Sequence, residues 1–279
     1  MKLYPIHAGY FMADGGALFG VVPKVLWSKH YPSDENNLCE GAMRCLLVVD
    51  GDRKILIDSG AGDKYDEKYK RNNGLHGDET LVGSLKVAGF HPDEITDMFF
   101  THLHWDHCGG AVQFGEDGKT PELVFKNATH WVAESQWEKA WNPNIRDGNA
   151  YFSTDLKTLR DSGKMKFIRE EGDLFPGFHY LVVDGHTPGQ LIPVIDYKGR
   201  KVVFTADLVP VTANIPLGWL ASYDLFPVTT MVEKEQFMKD ALEENWVLFF
   251  EHDAFNECAE LEAGSKGTVL KRTFQLSEL

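Results

Sequence analysis

The chain predicts an α/β fold, and three stretches carry that expectation. Arg44 to Asp58 reads as a β-hairpin: CLLVVD, the turn Asp50-Gly51-Asp52, then KILID. Glu79 to Gly89 places apolar Leu81, Val82, Leu85 and Ala88 at helical spacing and ends in a glycine. From Lys164 onward, the runs MKFI, HYLVVD, QLIPVIDYKGRKVVFTAD and WVLFFEHD alternate with turns. Strands and helices followed again by strands and helices fit two sheets with helices outside, although pattern alone leaves other α/β arrangements open.

Taken in order, residues 1–42 are rich in Gly, Pro and aromatics and read as an N-terminal loop segment. Within them GGALFGVVPKVLW, Gly15 to Trp27, is apolar without a helical or strand period. It fits either a loop packed on the surface or an apolar wall over a pocket. The hairpin strands that follow are nearly continuous in apolar residues, so both faces are expected to be buried. Asp97 to Thr101 reads as a buried strand that delivers the chain into HLHWDHCGG. Ala128 to Ala133 is a further strand, with Ser135 the expected N-cap of the next helix and Glu138 completing a capping box. Helices are expected around Ser153 to Arg160 and over Glu233 to Asn245, and Tyr197-Lys198-Gly199-Arg200 closes a second hairpin. No short repeat or low-complexity segment interrupts the 279 residues, which are read as one domain.

Composition narrows the classes of function. The chain has 28 basic and 42 acidic residues, a net charge of −14, which disfavours nucleic acid and anionic membranes as partners. A chain of this size buries roughly three quarters of its unfolded surface. It therefore needs neither disulfides nor structural metal to fold, and any metal cluster is available for function. The four cysteines, Cys39, Cys45, Cys108 and Cys258, form no CxxC pair and read as reduced thiols of a cytoplasmic protein. The N-terminus MKLYPIHAGYFMADGG lacks the apolar run of a signal peptide, and no stretch approaches the roughly 20 apolar residues of a membrane span.

The chemistry concentrates after the strand Asp97–Thr101. His102, His104, Asp106 and His107 place three imidazoles and a carboxylate within six residues. Unpaired and buried, each would cost several kcal/mol, so folding alone would select against such a run. Neutral imidazole and carboxylate are good ligands for zinc. In an extended segment His102 and His104 point the same way and can share one ion. Asp106 and His107 follow a turn and can reach a second. Three further residues end buried strands in the same manner: His186 after YLVVDG, Asp207 after KVVFTA, and His252 after VLFFE. Strands that each terminate in a candidate ligand suggest one edge at which a site assembles.

HLHWDH resembles the HxHxDH signature of the metallo-β-lactamase superfamily. LIDSG at Leu56–Gly60, DGHTPGQ at Asp184–Gln190, TAD at Thr205–Asp207 and the late His252 occur in that family's order. The resemblance covers most of the chain and implies an αββα sandwich of two mixed sheets flanked by helices. It implies that His102, His104 and His186 hold one metal, that Asp106, His107 and His252 hold a second, and that Asp207 bridges both. Asp58, Thr101 and Thr187 would stand behind these ligands and orient them. It further implies a hydrolase with two divalent ions, zinc by default and manganese, iron or cobalt as alternatives. A hydroxide shared by the two ions would attack, and Asp106 would hand a proton to the leaving group. Cys108 adjoins the cluster but reads as a small packed thiol.

The N-terminal run GGALFGVVPKVLWSKHYP resembles the YtnP-like N-acyl homoserine lactonases, with methyl parathion hydrolase a more distant likeness. That implies lactone opening, and it places Met12, Phe19, Val21, Val22 and Trp27 as an apolar wall for an acyl chain near the site mouth. The same segment could instead form a homodimer contact. Better-known lactonases of the group carry a Tyr three residues after the bridging Asp; here that position is Pro210, and Tyr223 is the expected replacement. The alternative reading is an esterase or organophosphate triesterase of the same superfamily.

Overall fold

The computed structural model describes residues 1–265 and 267–279. Its strands are β1 (Lys2–Asp14), β2 (Leu38–Asp50), β3 (Arg53–Ile57), β4 (Asp97–Phe99), β5 (Val112–Phe114), β6 (Pro121–Leu123), β7 (Thr129–Ala133), β8 (Met165–Ile168), β9 (Gly172–Phe175), β10 (Phe178–Val183), β11 (Gln190–Tyr197), β12 (Arg200–Phe204), β13 (Val247–Phe249), β14 (Cys258–Gly264) and β15 (Gly267–Phe274). Its α-helices are α1 (Gly15–Leu18), α2 (Lys24–Trp27), α3 (Glu67–Asn72), α4 (Leu81–Val87), α5 (Trp105–Cys108), α6 (Glu134–Trp141), α7 (Ser153–Asp161) and α8 (Pro227–Glu243). They fall into two compact units, residues 1–10 with 43–170, and residues 11–42 with 171–279.

The first unit is built on a six-stranded sheet in the order β1-β2-β3-β4-β7-β8, with the far ends of β1 and β2 counted in the second unit. β2 and β3 form the antiparallel hairpin expected from sequence, paired from Leu46↔Ile57 to Asp50↔Arg53. β3, β4, β7 and β8 are parallel neighbours. Parallel strands need crossovers, and the segments carrying α3 and α4, then α5, then α6 and α7, provide them. Leu47, Leu56, Met98 and Val132 from the sheet bury with Leu85 of α4 and with Leu156 and Leu159 of α7. α4 starts on Thr80, whose hydroxyl accepts the Gly83 amide at 3.1 Å.

One cap differs from expectation. α6 begins at Glu134 with Ala133 as its N-cap, and no side chain caps it. β7 runs as strand up to Ala133, so no residue remains for a loop in which Ser135 could cap. Ser135 lies inside the first turn.

The second unit carries a seven-stranded sheet in the order β15-β14-β13-β12-β11-β10-β9. β10, β11 and β12 form an antiparallel meander, and β12 pairs parallel with β13 across α8. α8 starts at Pro227, earlier than the expected Glu233, with the proline at its first position, where the missing N–H costs nothing. The β14–β15 hairpin at the sheet edge was not foreseen. CAELEAG is poor in strand formers, and most of β15 is exposed. Pairing and ion pairs hold it instead: Glu260 accepts from Arg272 Nε and Nη2, both at 2.9 Å, and from Arg200 Nη1 at 2.6 Å.

Residues 1–42 are not simply loop. β1 is a strand of 13 residues and β2 already starts at Leu38. Gly9, at φ +108°, interrupts the alternation by which β1 could have been read. Between the strands the apolar segment folds into the one-turn helices α1 and α2. There Leu18, Phe19, Trp27 and Tyr31 bury with Cys39, Val211 and Ala213. Gly15 is needed for this packing, since a Cβ there would lie 2.2 Å from the Trp27 ring. Among the described residues no helix is long and apolar enough to cross a membrane.

Candidate metal centre

In the first unit the parallel strands β3 and β4 bring their carboxyl ends to one edge, the end at which α/β sheets commonly build sites. Asp58 follows β3, and Thr101 and His102 follow β4. Asp58 adopts φ +56° and turns its carboxylate back onto Thr101. The Thr101 amide donates to Oδ1 at 2.8 Å and its hydroxyl to Oδ2 at 2.6 Å. Oδ2 also stands 3.1 Å from His107 Nδ1, which fixes that nitrogen as N–H and directs the Nε2 lone pair outward. With its proton committed to Asp58, the Thr101 hydroxyl accepts from His102 Nδ1 at 3.1 Å. The opposite nitrogen, His102 Nε2, then faces His104 Nδ1 at 2.9 Å.

α5 is a single turn that carries Asp106 and His107, with Asp106 Oδ2 3.9 Å from His107 Nε2. The loop is locked from both sides. Ser59 donates its amide and hydroxyl to the His107 carbonyl at 2.7 and 2.9 Å, and the Gly110 amide donates to the Gly60 carbonyl at 2.8 Å. Buried Lys64 donates to the Gly109 carbonyl at 2.5 Å and pairs with buried Asp155 at 3.1 Å. Burial raises the Asp155 carboxyl to about 6, with the Lys64 charge opposing the rise. The Gly109-Gly110 pair permits this approach: a Cβ on Gly110 would sit 2.1 Å from the Ser59 carbonyl oxygen. Cys108 is buried, donates to the Leu103 carbonyl, and has its thiol pushed well up by burial, so it is a packed thiol rather than a nucleophile.

In the second unit β10, β12 and β13 run in the same direction, as their pairings through β11 require. His186, Asp207 and His252 follow their carboxyl ends. Asp207 places one oxygen against each imidazole: Oδ2 is 3.1 Å from His186 Nε2, and Oδ1 is 3.0 Å from His252 Nε2. On their far sides His186 Nδ1 meets Asp224 Oδ1 at 3.0 Å, and His252 Nδ1 meets the Ala42 carbonyl at 2.8 Å. Both acceptors hold Nδ1 as N–H. Each Nε2 then turns a lone pair toward a carboxylate about 3 Å away. That is repulsive unless a cation or proton lies between them. The donor set therefore fits divalent ions.

All seven expected ligands lie in these two sets, and the expected supports Asp58 and Thr101 stand behind the first. Thr187 is buried beside His186, where its carbonyl accepts the Gln190 amide at 3.3 Å. Asp224 was missed. A lone aspartate in a loop, far in sequence from His186, reads as a turn residue. The Ala42 carbonyl carries no sequence signal at all. Tyr223 is half-buried and sets its ring at right angles to His186, with centroids 5.7 Å apart. The five residues expected to form an apolar wall differ in burial. Phe19 and Trp27 stack in the core of the second unit, Val22 packs partly against that core, Met12 is half-buried in β1, and Val21 is 96% exposed.

Residues 42–252 match the model of the metallo-β-lactamase superfamily, and the chain belongs to that superfamily as a metal-dependent hydrolase. It is 24% identical over 280 residues to an N-acyl homoserine lactonase of a Bacillus species, covering 92% of this chain and 94% of that one. A solved structure from Staphylococcus aureus, described as a probable metal-dependent hydrolase, superposes with a TM-score of 0.88 at 28% identity over 98% of both chains. AidC, described as a dizinc quorum-quenching lactonase, superposes with a TM-score of 0.77 at 24% identity, over 98% of this chain and 95% of its own. The αββα class implied by the sequence resemblance is the class these structures share.

Proposed function

We propose that the two ligand sets hold one pair of divalent ions, zinc by default, and that the protein opens the ring of N-acyl homoserine lactones. The observation that carries the metal reading is Asp207, one carboxylate whose two oxygens each face a different imidazole, at 3.1 and 3.0 Å. A carboxylate so placed can give one oxygen to each of two ions. His102, His104 and His186 would take the first ion, and Asp106, His107 and His252 the second. One continuous family match over residues 42–252 contains both sets, which supports treating them as one centre within a single hydrolase of residues 1–279. Imidazoles and carboxylates without thiolate suit zinc, and manganese, iron or cobalt could use the same donors.

When bound, such ions supply positive charge that polarises an ester carbonyl and lowers the pKa of water to about 7. The chain's own residues do the rest. Asp58 and Asp224 hold His107 and His186 in one tautomer and one orientation. Asp106 keeps 16% of its side chain exposed, so it can accept a proton and return it to the leaving alkoxide oxygen.

The lactone assignment is supported by curated relatives from Bacillus that are N-acyl homoserine lactonases, 24% identical over 92% of the chain. Their substrates are small molecules with an apolar acyl portion. The four buried cysteines form no disulfide, which supports a reducing, cytoplasmic setting. One observation favours a second reading, a broader ester or organophosphate triester hydrolase: Pro210 is buried and offers no hydroxyl to a lactone carbonyl. Zinc-loaded protein should be assayed against acyl homoserine lactones, paraoxon-type triesters and a cephalosporin. Lactone turnover abolished by His104→Ala is the expected result. Turnover of triesters or simple esters alone would sink the lactonase reading.

A further inference from the structure

We infer that Glu233 and Lys234, adjacent residues of α8, are positioning residues for the His186–Asp224 pair. One holds the backbone leading into His186, and the other holds the loop leading into Asp224. The inference rests on His186 being a metal ligand, as proposed above.

The Glu233 carboxylate accepts the Asp184 amide at 2.7 Å and the Gly185 amide at 2.9 Å, the N–H groups of the two residues that precede His186. Lys234 is fully buried and donates from Nζ to the carbonyls of Pro216 and Trp219, both at 2.9 Å. The Trp219 carbonyl also accepts from Asn214 Nδ2 at 3.3 Å, so this turn is held from two sides. The loop then continues through Tyr223 to Asp224, whose carboxylate meets His186. The two loops are tied directly as well: the Leu225 amide donates to the His186 carbonyl at 3.1 Å and the Phe226 amide to the Gly185 carbonyl at 2.8 Å. Gly185 lies so close to α8 that a Cβ would fall 2.3 Å from the Thr230 amide nitrogen. α8 is thus the platform on which both loops are registered.

Packing alone does not account for these residues. Burial lowers the Lys234 ammonium to about 7, a cost that a methionine of similar length would avoid. Burial likewise raises the Glu233 carboxyl, against two amide donors that act to lower it. What the two side chains provide is direction: two amides in the segment leading to His186 and two carbonyls in the loop leading to Asp224 are held in fixed places. Asp224 is the group that touches His186 directly, and partners of that kind typically change metal affinity 10–100-fold without touching the ion; Glu233 and Lys234 act on the same pair through the backbone that carries it.

The test uses full-length apo protein titrated with cobalt(II). The readouts are the visible spectrum, the affinity of each equivalent by chelator competition, and the melting temperature of the apo form. Lys234→Met and Glu233→Gln are compared with wild type. Glu233→Gln keeps shape and one acceptor oxygen, so it decides the matter if Lys234→Met does not fold. One cobalt equivalent is expected to weaken about 10-fold or more, with an altered spectrum, while the other stays unchanged. Wild-type affinities and spectra in the variants, even with a lowered melting temperature, would overturn the inference alone. A His186→Ala control with unchanged cobalt binding would overturn it together with the metal reading.

Discussion

Asp58 takes both the amide and the hydroxyl of Thr101 onto its carboxylate, at 2.8 and 2.6 Å, from a left-handed backbone at φ +56°. That backbone costs a non-glycine residue on the order of 1–2 kcal/mol. The hydrogen bonds offset the strain, and the same carboxylate reaches His107 Nδ1 at 3.1 Å. Asp58 therefore couples a strained turn to the tautomer of an expected ligand.

Asp58→Asn should keep the turn, because asparagine tolerates the left-handed region. It should weaken one metal equivalent about 10–100-fold, since an amide cannot both accept from Thr101 and hold His107 as the carboxylate does. Chelator competition on the variant measures this, and unchanged affinity for both equivalents would show that Asp58 is structural only.

Asp207→Asn removes the charge shared between His186 and His252. We expect hydrolysis to fall by at least about 100-fold, as for loss of a positioned electrostatic group. Bound metal should drop from two ions per chain toward one. Full activity with two tightly held ions would refute the bridging role.

Gly110→Ala should destabilise the protein by about 3 kcal/mol or more, because its Cβ would press on the Ser59 carbonyl at 2.1 Å and the neighbour is backbone. Gly51 is the control: it has nothing within 4 Å, so Gly51→Ala carries only the cost of its positive φ, about 1–2 kcal/mol. Denaturant midpoints of the two variants should differ in that order.

His130 is fully buried, sits 3.1 Å from the Ala128 carbonyl through Nδ1, and is lowered by burial to about 4. In the unfolded chain it protonates near 6.5. Between those values the unfolded state binds the extra proton, so stability falls as pH drops from 6.5 toward 4 and the loss levels off below. Of the acid sensitivity between pH 7.5 and 5, about 2 kcal/mol belongs to this residue at 1.36 kcal/mol per pKa unit. His130→Gln should lose that share; urea unfolding of wild type and variant at the two pH values checks it. Equal pH dependence in both would mean that His130 is not the source.

Among the expected ligands, His102, His186, Asp207 and His252 stand out in the sequence because each follows an apolar run, and a run of that kind ends where the chain leaves a buried sheet; His104, Asp106 and His107 stand out by their crowding after His102. The hairpin over β2 and β3 and the glycine pair after His107 were legible for the same local reason. Asp224 and the Ala42 carbonyl were not. Each meets its histidine across a long sequence separation, and no periodicity records a contact of that range. The hairpin of β14 and β15 and the strand β1 were hidden likewise, since their hydrogen-bond partners rather than their own residues make them strands. Phe19 and Trp27 show the limit most plainly. Apolar character marked them for burial, but only the packing of α1 and α2 against Val211 and Ala213 decided that they fill a core, because hydrophobicity says how much surface is buried and not against what.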